Sequence, residues 1–99
     1  MLTLTSEQRR ALRAQAHPLK PVVFIARNGL SDSVLKEIET SLAAHELIKI
    51  RVFDDDRKAR ETCLATLCET LDAAPVQHIG KLLVLWRPKP ENQNRKTGK

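Results

Sequence analysis

The sequence predicts an α/β (α+β) two-layer sandwich with the element order α-β-α-β-α-β-β and a mixed four-stranded sheet. Helical and strand patterns alternate along most of the chain, which is typical of parallel strands joined by crossover helices. The last two apolar runs are separated only by Gly80 and Lys81, which indicates an antiparallel hairpin. Apolar residues form 41% and charged residues 29% of the 99 residues. This composition suits one globular domain.

The first helix is predicted over residues 6–16. Thr5 and Gln8 have the spacing of a capping box, and Pro18 prevents the helix from continuing. Arginines recur along this helix at helical spacing and make one side of it basic. They are Arg9, Arg10 and Arg13.

The first strand is predicted in VVFIA, residues 22–26, after an extended connection that contains Lys20. Four consecutive large apolar residues favour a strand that is buried on both faces and lies inside the sheet. Ser31 is the predicted N-cap of a second helix that reaches His45.

The second strand is predicted in LIKIRVF, residues 47–53, because apolar and polar residues alternate there. Lys49 and Arg51 share one strand face with Leu47 and Phe53. Two interpretations of the two cations stay open: contact with RNA, or pairing at a sheet edge with acidic residues of the third helix.

The third helix is predicted to follow the acidic run 54–56, which suits a helix N-terminus, and to end near Ala73. The hairpin follows, with a type II′ turn at Gly80 and Lys81. We expect a domain over residues 1–88 and a basic, disordered tail over residues 89–99, which has no large apolar residue.

The link between the first strand and the second helix, ARNG, is a candidate phosphate site. Gly29 can adopt positive φ, and main-chain N–H groups at Asn28 and Gly29 would point at an anion near a helix N-terminus. Arg27 would add a full positive charge. A plain turn with one glycine is the alternative explanation of the same residues.

Several stretches resemble one family. LKPVV, NGL and HELIK, followed by IGK and LWRP, resemble the YhbY family of bacterial proteins, which consist of one CRM (chloroplast RNA splicing and ribosome maturation) domain. The resemblance covers about residues 5–88. It implies a fold similar to the C-terminal domain of bacterial translation initiation factor three. It also implies association with ribosomal RNA in precursors of the large subunit.

The family's GxxG loop falls on residues 26–29, where Ala26 replaces the first glycine and Gly29 keeps the second. The Cβ of Ala26 disfavours positive φ and occupies space near a bound backbone. The predicted RNA-binding residues lie in the first helix, in the connection before the first strand, in this loop, in the second strand, and in the turn and at the end of the hairpin. They are Arg9, Arg10, Arg13, Lys20, Arg27, Asn28, Gly29, Lys49, Arg51, Lys81 and Arg87.

Other chemistry has little support in the sequence. Cys63 and Cys68 lie in an apolar helical pattern and are interpreted as core or near-core thiols, and no metal, nucleophile or nucleotide-loop motif is present. We therefore expect no cofactor, no small-molecule substrate and no catalysis. Trp86 is interpreted as a core residue, and without tyrosine we expect recognition of RNA phosphate and shape rather than base stacking.

The net charge of the chain and its distribution indicate which binding partners to expect. The formal net charge is +5, with basic ends and an acidic middle at residues 54–80. Such a surface attracts polyanions. We expect a cytoplasmic, ribosome-associated monomer that binds RNA and no membrane. The alternative is a protein-interaction adaptor whose basic ends contact acidic partners.

Overall fold

The computed structural model describes residues 2–26 and 29–89. Within these residues the chain forms three helices and four strands in the predicted order. The helices are α1 (Ser6–Ala16), α2 (Asp32–His45) and α3 (Arg57–Leu71). The strands are β1 (Val23–Ile25), β2 (Leu47–Val52), β3 (Ala74–Ile79) and β4 (Leu82–Trp86). The predicted element order and fold class are confirmed.

Local side-chain caps begin the helices where the sequence predicts. Thr5 Oγ1 accepts the Gln8 N–H at 3.0 Å, and Gln8 Oε1 accepts the Thr5 N–H at 2.9 Å. Ser31 Oγ accepts the Val34 N–H at 3.2 Å at the start of α2. These bonds satisfy donors that the first turn of a helix leaves without an intrahelical partner. Over the residues the structure describes, no helix is long and apolar enough to cross a membrane.

The strands form one mixed sheet in the order β1-β2-β4-β3. β1 runs parallel to β2, as a right-handed crossover through α2 requires, and the other two pairs are antiparallel. In the hairpin turn, Gly80 has φ +54° and Lys81 is not among the described residues with positive φ. This agrees with the predicted type II′ turn, which needs positive φ only at its first central residue.

One prediction about β1 is wrong. β1 is an edge strand whose central residue, Phe24, is 56% exposed, whereas Val23 and Ile25 are buried. The apolar run suggested burial on both faces, but only one face of β1 is covered. α1 lies on the side of the sheet to which Phe24 points, but the cluster beneath that helix does not include Phe24.

The helices divide between the two faces of the sheet. Successive strand residues point to opposite faces, so Leu83 and Leu85 lie on one face and Val84 on the other. The sealed face packs against α2 and α3 and contains Ile25, Ile50 and Leu83. The open face packs against α1 over only part of its area. The two-layer description is therefore incomplete, since α1 adds a partial third layer.

The smaller cluster beneath α1 anchors that helix to the open face. Its buried members are Leu4, Ala16, Ala74, Val76 and Val84. Trp86 packs against this cluster and is partly buried, which agrees with its interpretation as a core residue. The open face beyond this cluster bears the residues that form the candidate site.

Two sequence predictions are not tested by this fold. Residues 90–99, most of the predicted tail, lie outside the described residues, although the Lys89 N–H donates to a Glu46 carboxylate oxygen at 3.2 Å. The likeness to translation initiation factor three also stays a prediction.

Candidate nucleic-acid interface

The loop after β1 forms a closed turn. Gly29 has φ +87° and donates its N–H to the Ala26 carbonyl oxygen at 2.9 Å. The Gly29 amide is therefore already used in this conformation, contrary to the expectation that it holds a phosphate. This bond joins the two ends of the turn, and the positive φ of Gly29 sets the direction in which the chain leaves it toward α2. Arg27 and Asn28 lie outside the described residues.

Ala26 fits the loop without a glycine. It is exposed and is not among the described non-glycine residues with positive φ. At Gly29, an added Cβ would meet nothing within 4 Å, so glycine is favoured there by backbone conformation and not by space. Of the two ends of this turn, Gly29 is thus the one whose backbone conformation favours glycine.

One side of the loop is acidic. Ala26 and Gly29 line a groove of about 290 Å³ together with Asp54, Ala59 and Cys63 of the region that begins α3. Asp54, the first residue of the acidic run 54–56, therefore lies at this groove. A phosphate would be repelled here, so an RNA strand that reaches the loop is expected to approach from the open face.

A strip of cations crosses the open face, and we call it the cationic strip: Arg13, Lys49 and Arg51. Arg13 of α1 and Lys49 of β2 line one cleft of about 150 Å³, and His17 lines it as well. Arg51 follows on the same strand face and is exposed. In residues 2–26 and 29–89, no ion pair or hydrogen bond is formed by these three side chains.

Lys49 and Arg51 lie away from the acidic residues of α3. Both lie on the open face, whereas α3 packs on the sealed face, so the predicted pairing with acidic residues of α3 does not occur. The alternation of residues in β2 predicted that Lys49 and Arg51 share one face of the strand. Only the tertiary structure shows that this face is the one opposite α3.

An aromatic pair lies beside the cationic strip at the end of β1 and β2. The ring centroids of Phe24 and Phe53 are 6.1 Å apart with an interplanar angle of 22°, and the Arg51 guanidinium carbon is 5.3 Å from the Phe53 centroid. Phe24 is 56% exposed and Phe53 43% exposed. We call these three residues, Phe24, Arg51 and Phe53, the aromatic platform. Its two rings were not among the sequence predictions, which considered only tryptophan and tyrosine as stacking residues.

The other predicted cations of the N-terminal region do not line the cleft that contains Arg13 and Lys49. Arg10 and Arg13 are exposed on α1, and Arg9 is half-buried. Lys20 is exposed, but it precedes β1 and lies at the opposite end of that strand from the loop. It lines a separate groove with Leu19 and Val22. The structure thus brings Arg13 to Lys49 and does not bring Lys20 to the loop.

Arg87 has a structural role that the sequence did not indicate. Its two terminal nitrogens donate to the two carboxylate oxygens of Glu39, each at 2.7 Å, and one also donates to the Leu71 carbonyl oxygen at 3.0 Å. The Arg87 side chain is only 17% exposed. The hydrogen bond from Arg87 lowers the pKa of Glu39, and the same bond raises the pKa of Arg87. Arg87 is therefore bound within the fold and does not supply free positive charge.

Lys81 is also paired. Lys81 lies in the hairpin turn, and its Nζ is 2.7 Å from a carboxylate oxygen of Asp55. Such an exposed pair is weak, about 0–1 kcal/mol, yet it places a negative charge beside the lysine. Lys81 is therefore a poorer candidate for phosphate contact than Lys49.

A buried arginine orders the acidic end of the molecule. Arg60 is 7% exposed and donates to the Asp54 carbonyl oxygen at 2.7 Å and to His78 Nε2 at 3.2 Å. These bonds connect α3 to β3 and to the segment that follows β2. The sequence carries no signal for this role, because Arg60 occupies an ordinary position in a charged helix start.

The two cysteines lie in and against the core, with Cys68 buried and Cys63 partly buried. Cys68 is fully buried, which raises the pKa of its thiol to about 11, and burial also raises the pKa of Cys63. Both agree with their interpretation as core or near-core thiols. Among the residues that the structure describes, no three His, Cys, Asp or Glu side chains are grouped so that they could hold a metal ion.

Comparison with known proteins identifies relatives along nearly the whole chain. The family model of the CRS1/YhbY (CRM) domain matches residues 4–87. An "RNA-binding protein" of Haemophilus influenzae is 44% identical over 92% of this chain and 92% of its own length. The "Probable RNA-binding protein PA4753" of Pseudomonas aeruginosa is 39% identical over 94% of this chain and 90% of its own.

A solved structure also resembles this fold. The solution structure of the hypothetical protein SAV1595 from Staphylococcus aureus, described as a candidate RNA-binding protein, superposes with a TM-score of 0.82 at 33% sequence identity. The match covers 91% of this chain and 94% of that one. The likeness in fold therefore extends over most of both chains.

Proposed function

Since the chain belongs to the CRS1/YhbY (CRM) domain family, we propose that it binds ribosomal RNA in precursors of the large subunit and assists ribosome assembly. RNA as the partner is supported by relatives that are named for RNA binding. The ribosomal target is supported by the resemblance of the sequence to the single-domain YhbY proteins. We place this activity in the cytoplasm, with the protein acting as a monomer.

The single observation that carries RNA binding is the cationic strip. Arg13, Lys49 and Arg51 lie on one face of the molecule and have no acidic partner among the described residues. Three cations held on a rigid sheet and helix attract a phosphate backbone, and each phosphate that they neutralise releases bound counterions. The strip leads toward the loop at residues 26–29, where Arg27 would add a further contact.

The proposed mechanism consists of binding alone. The basic ends of the chain attract the polyanion, the cationic strip positions its backbone, and the loop contacts it from the open face. Gly29 contributes the shape of the loop, since its own N–H bonds to Ala26. No bond in the RNA is made or broken, so labelled RNA incubated with the protein and divalent metal ions is expected to remain intact.

A pair of double charge reversals tests this proposal. Lys49→Glu/Arg51→Glu changes the cationic strip, and Arg57→Glu/Lys58→Glu makes the same change of charge on exposed residues of α3. We expect the first variant to lose at least about tenfold in RNA affinity, about 1.4 kcal/mol. Its slope of log affinity against log salt should fall by about 1.4 to 1.8, since each contact contributes about 0.7 to 0.9. The α3 variant should change much less.

The outcome separates RNA binding from the adaptor alternative. If both variants lose the same affinity, only net charge matters and the assignment of the strip is wrong. If the wild-type protein binds RNA without steep salt dependence, binding to acidic protein partners becomes the better explanation. Arg27→Glu, expected to weaken RNA binding at least about tenfold with little change in thermal stability, tests the loop.

The ribosomal target needs a test in cells. Crosslinking followed by mapping of the bound RNA should recover large-subunit precursor rRNA above mature rRNA and messenger RNA. Sedimentation of the tagged protein should place it with precursor particles. Crosslinks distributed over unrelated RNAs would contradict the ribosomal part of the proposal and leave RNA binding itself in place.

A further inference from the structure

We propose that Phe24 and Phe53, together with Arg51, form a stacking site for an unpaired nucleobase of RNA. This inference rests on the proposed function, because it assumes that RNA lies along the open face. It adds a kind of contact that neither the sequence motifs nor the cationic strip supplies. The cations recognise phosphates, which all nucleotides share, whereas the platform recognises the flat face of a base.

The two phenylalanines are not explained by folding. Neither belongs to a core cluster, and about half of each side chain is exposed. Phe24 lies opposite Arg51 in the parallel ladder, and the Phe53 N–H donates to the Ile25 carbonyl oxygen at 2.9 Å. The rings are thus held by the ends of two paired strands, close to parallel, and face the side of the sheet that α1 leaves uncovered. A rigid pair of this kind needs little reorganisation to accept a flat ligand.

The charges around the rings select the occupant. The Arg51 guanidinium lies over Phe53, and Lys49 and Arg13 continue the positive charge along the same face. From Lys49 to Phe53 the strand spans about 13 Å, so the flanking phosphates of a base on the platform lie near these cations. An apolar protein surface would bury the Arg51 charge without compensation, which is costly. A nucleic acid strand supplies both the flat ring and the negative charge.

The base must be unpaired. In an RNA double helix both faces of each internal base are already stacked on neighbours, so an aromatic side chain can reach a base face only in a loop, a bulge or a single strand. Stacking on an aromatic side chain contributes about 1–3 kcal/mol per base and depends little on base identity. The platform therefore favours single-stranded or bulged segments of a structured RNA without reading their sequence.

The test compares two RNA probes and three proteins. The probes are a labelled single-stranded oligoadenylate of about 12 nucleotides and a blunt RNA duplex of the same length, within the usual range of site sizes. The proteins are the wild type, Phe24→Leu/Phe53→Leu, and Leu19→Ala as a control that removes an exposed apolar side chain outside the platform. Leucine keeps an apolar side chain but has no flat π-face.

We expect the double variant to bind the single strand at least about tenfold more weakly, about 1.4 kcal/mol, and to bind the duplex with nearly unchanged affinity. Leu19→Ala should bind both probes as the wild type does. Circular dichroism should show that the variants are folded, and the single variants Phe24→Leu and Phe53→Leu should each show part of the loss.

Three outcomes would overturn the inference. Unchanged affinity of the double variant for the single strand means that no base stacks on the platform. Equal losses for single strand and duplex mean that the rings act through shape or through a neighbouring cation. If the wild type binds neither probe, both the proposed function and this inference are wrong. If the wild type binds the duplex but the double variant binds the single strand as well as the wild type does, only this inference is wrong.

Discussion

The sealed and open faces of the sheet are built from the same four strands, yet they differ in what covers them. On the sealed face, α2 and α3 bury the strand side chains, and residues such as Ile25, Ile50 and Leu83 are at most 1% exposed. On the open face, α1 covers the part around Val84 and leaves Phe24 more than half exposed. One face stabilises the fold, and the uncovered part of the other is free to bind.

The arginines of the two faces also differ in their partners. Arg87, at the end of β4, is joined to Glu39 of α2 and to the Leu71 carbonyl of α3, whereas Arg51 on the open face lies beside the Phe53 ring. Two arginines of one small sheet thus have different roles, and burial and partners distinguish them where residue type cannot. Substitutions on each face can therefore measure how far the residues that stabilise the fold are separated from those that bind RNA.

The largest expected effect is on the sealed face. Ile50→Ala removes a fully buried side chain from the central strand β2 and should lower the free energy of unfolding by about 2–5 kcal/mol, measured by urea denaturation. Phe24→Leu, on the open face, should change it by less than about 0.5 kcal/mol. A loss at Phe24 as large as that at Ile50 would contradict the division between the faces.

The two arginines should show opposite phenotypes. Arg87→Ala breaks a two-pronged, half-buried charge pair and should reduce stability by about 1.5–3 kcal/mol, with RNA affinity per folded molecule retained. Arg51→Ala should reduce stability by less than about 1 kcal/mol and weaken RNA binding. Thermal denaturation and fluorescence anisotropy on both variants provide the comparison, which fails if Arg87→Ala lowers RNA affinity more than Arg51→Ala does.

Gly29 and Gly80, the glycines of positive φ among the described residues, allow a matched comparison of turns. Gly29→Ala and Gly80→Ala each place a side chain in open space but in a strained backbone, so each should reduce stability by about 1–2 kcal/mol. Only Gly29→Ala alters the loop beside the open face, and it alone should weaken RNA binding. Equal RNA affinities of the two variants would remove the loop from the interface.

The smallest expected effect is on the pH dependence of stability, through the pair of Glu39 and Arg87. Because Arg87 holds the pKa of Glu39 below its ordinary value of 4.5, the unfolded chain takes up this proton at a higher pH than the folded chain does. The contribution of Glu39 to stability is therefore present above pH 4.5 and is lost as pH falls through the folded pKa. In Glu39→Gln this part of the acid destabilisation should disappear. An unchanged slope of stability against pH in that variant would argue against the pair.

The sequence by itself determined the local features of this fold. The capping box at Thr5, the N-cap at Ser31 and the glycine of the hairpin turn act through bonds that span two to four residues, so residue type and spacing are sufficient to predict them. The parallel pairing of β1 with β2 also follows from the chain, because a single helix joins them and such crossovers are right-handed. The motifs that indicated the family lie within these same elements.

Tertiary structure alone decided which of these residues are exposed. The apolar run of β1 could not show that Phe24 is uncovered, because its exposure depends on where α1 packs, and that contact joins segments far apart in the chain. Likewise, the partner of Arg87 is 48 residues away. Spacing within a segment predicts which side chains share a face, but burial and ion pairing depend on what packs against that face, which is why the candidate site could be predicted only in part.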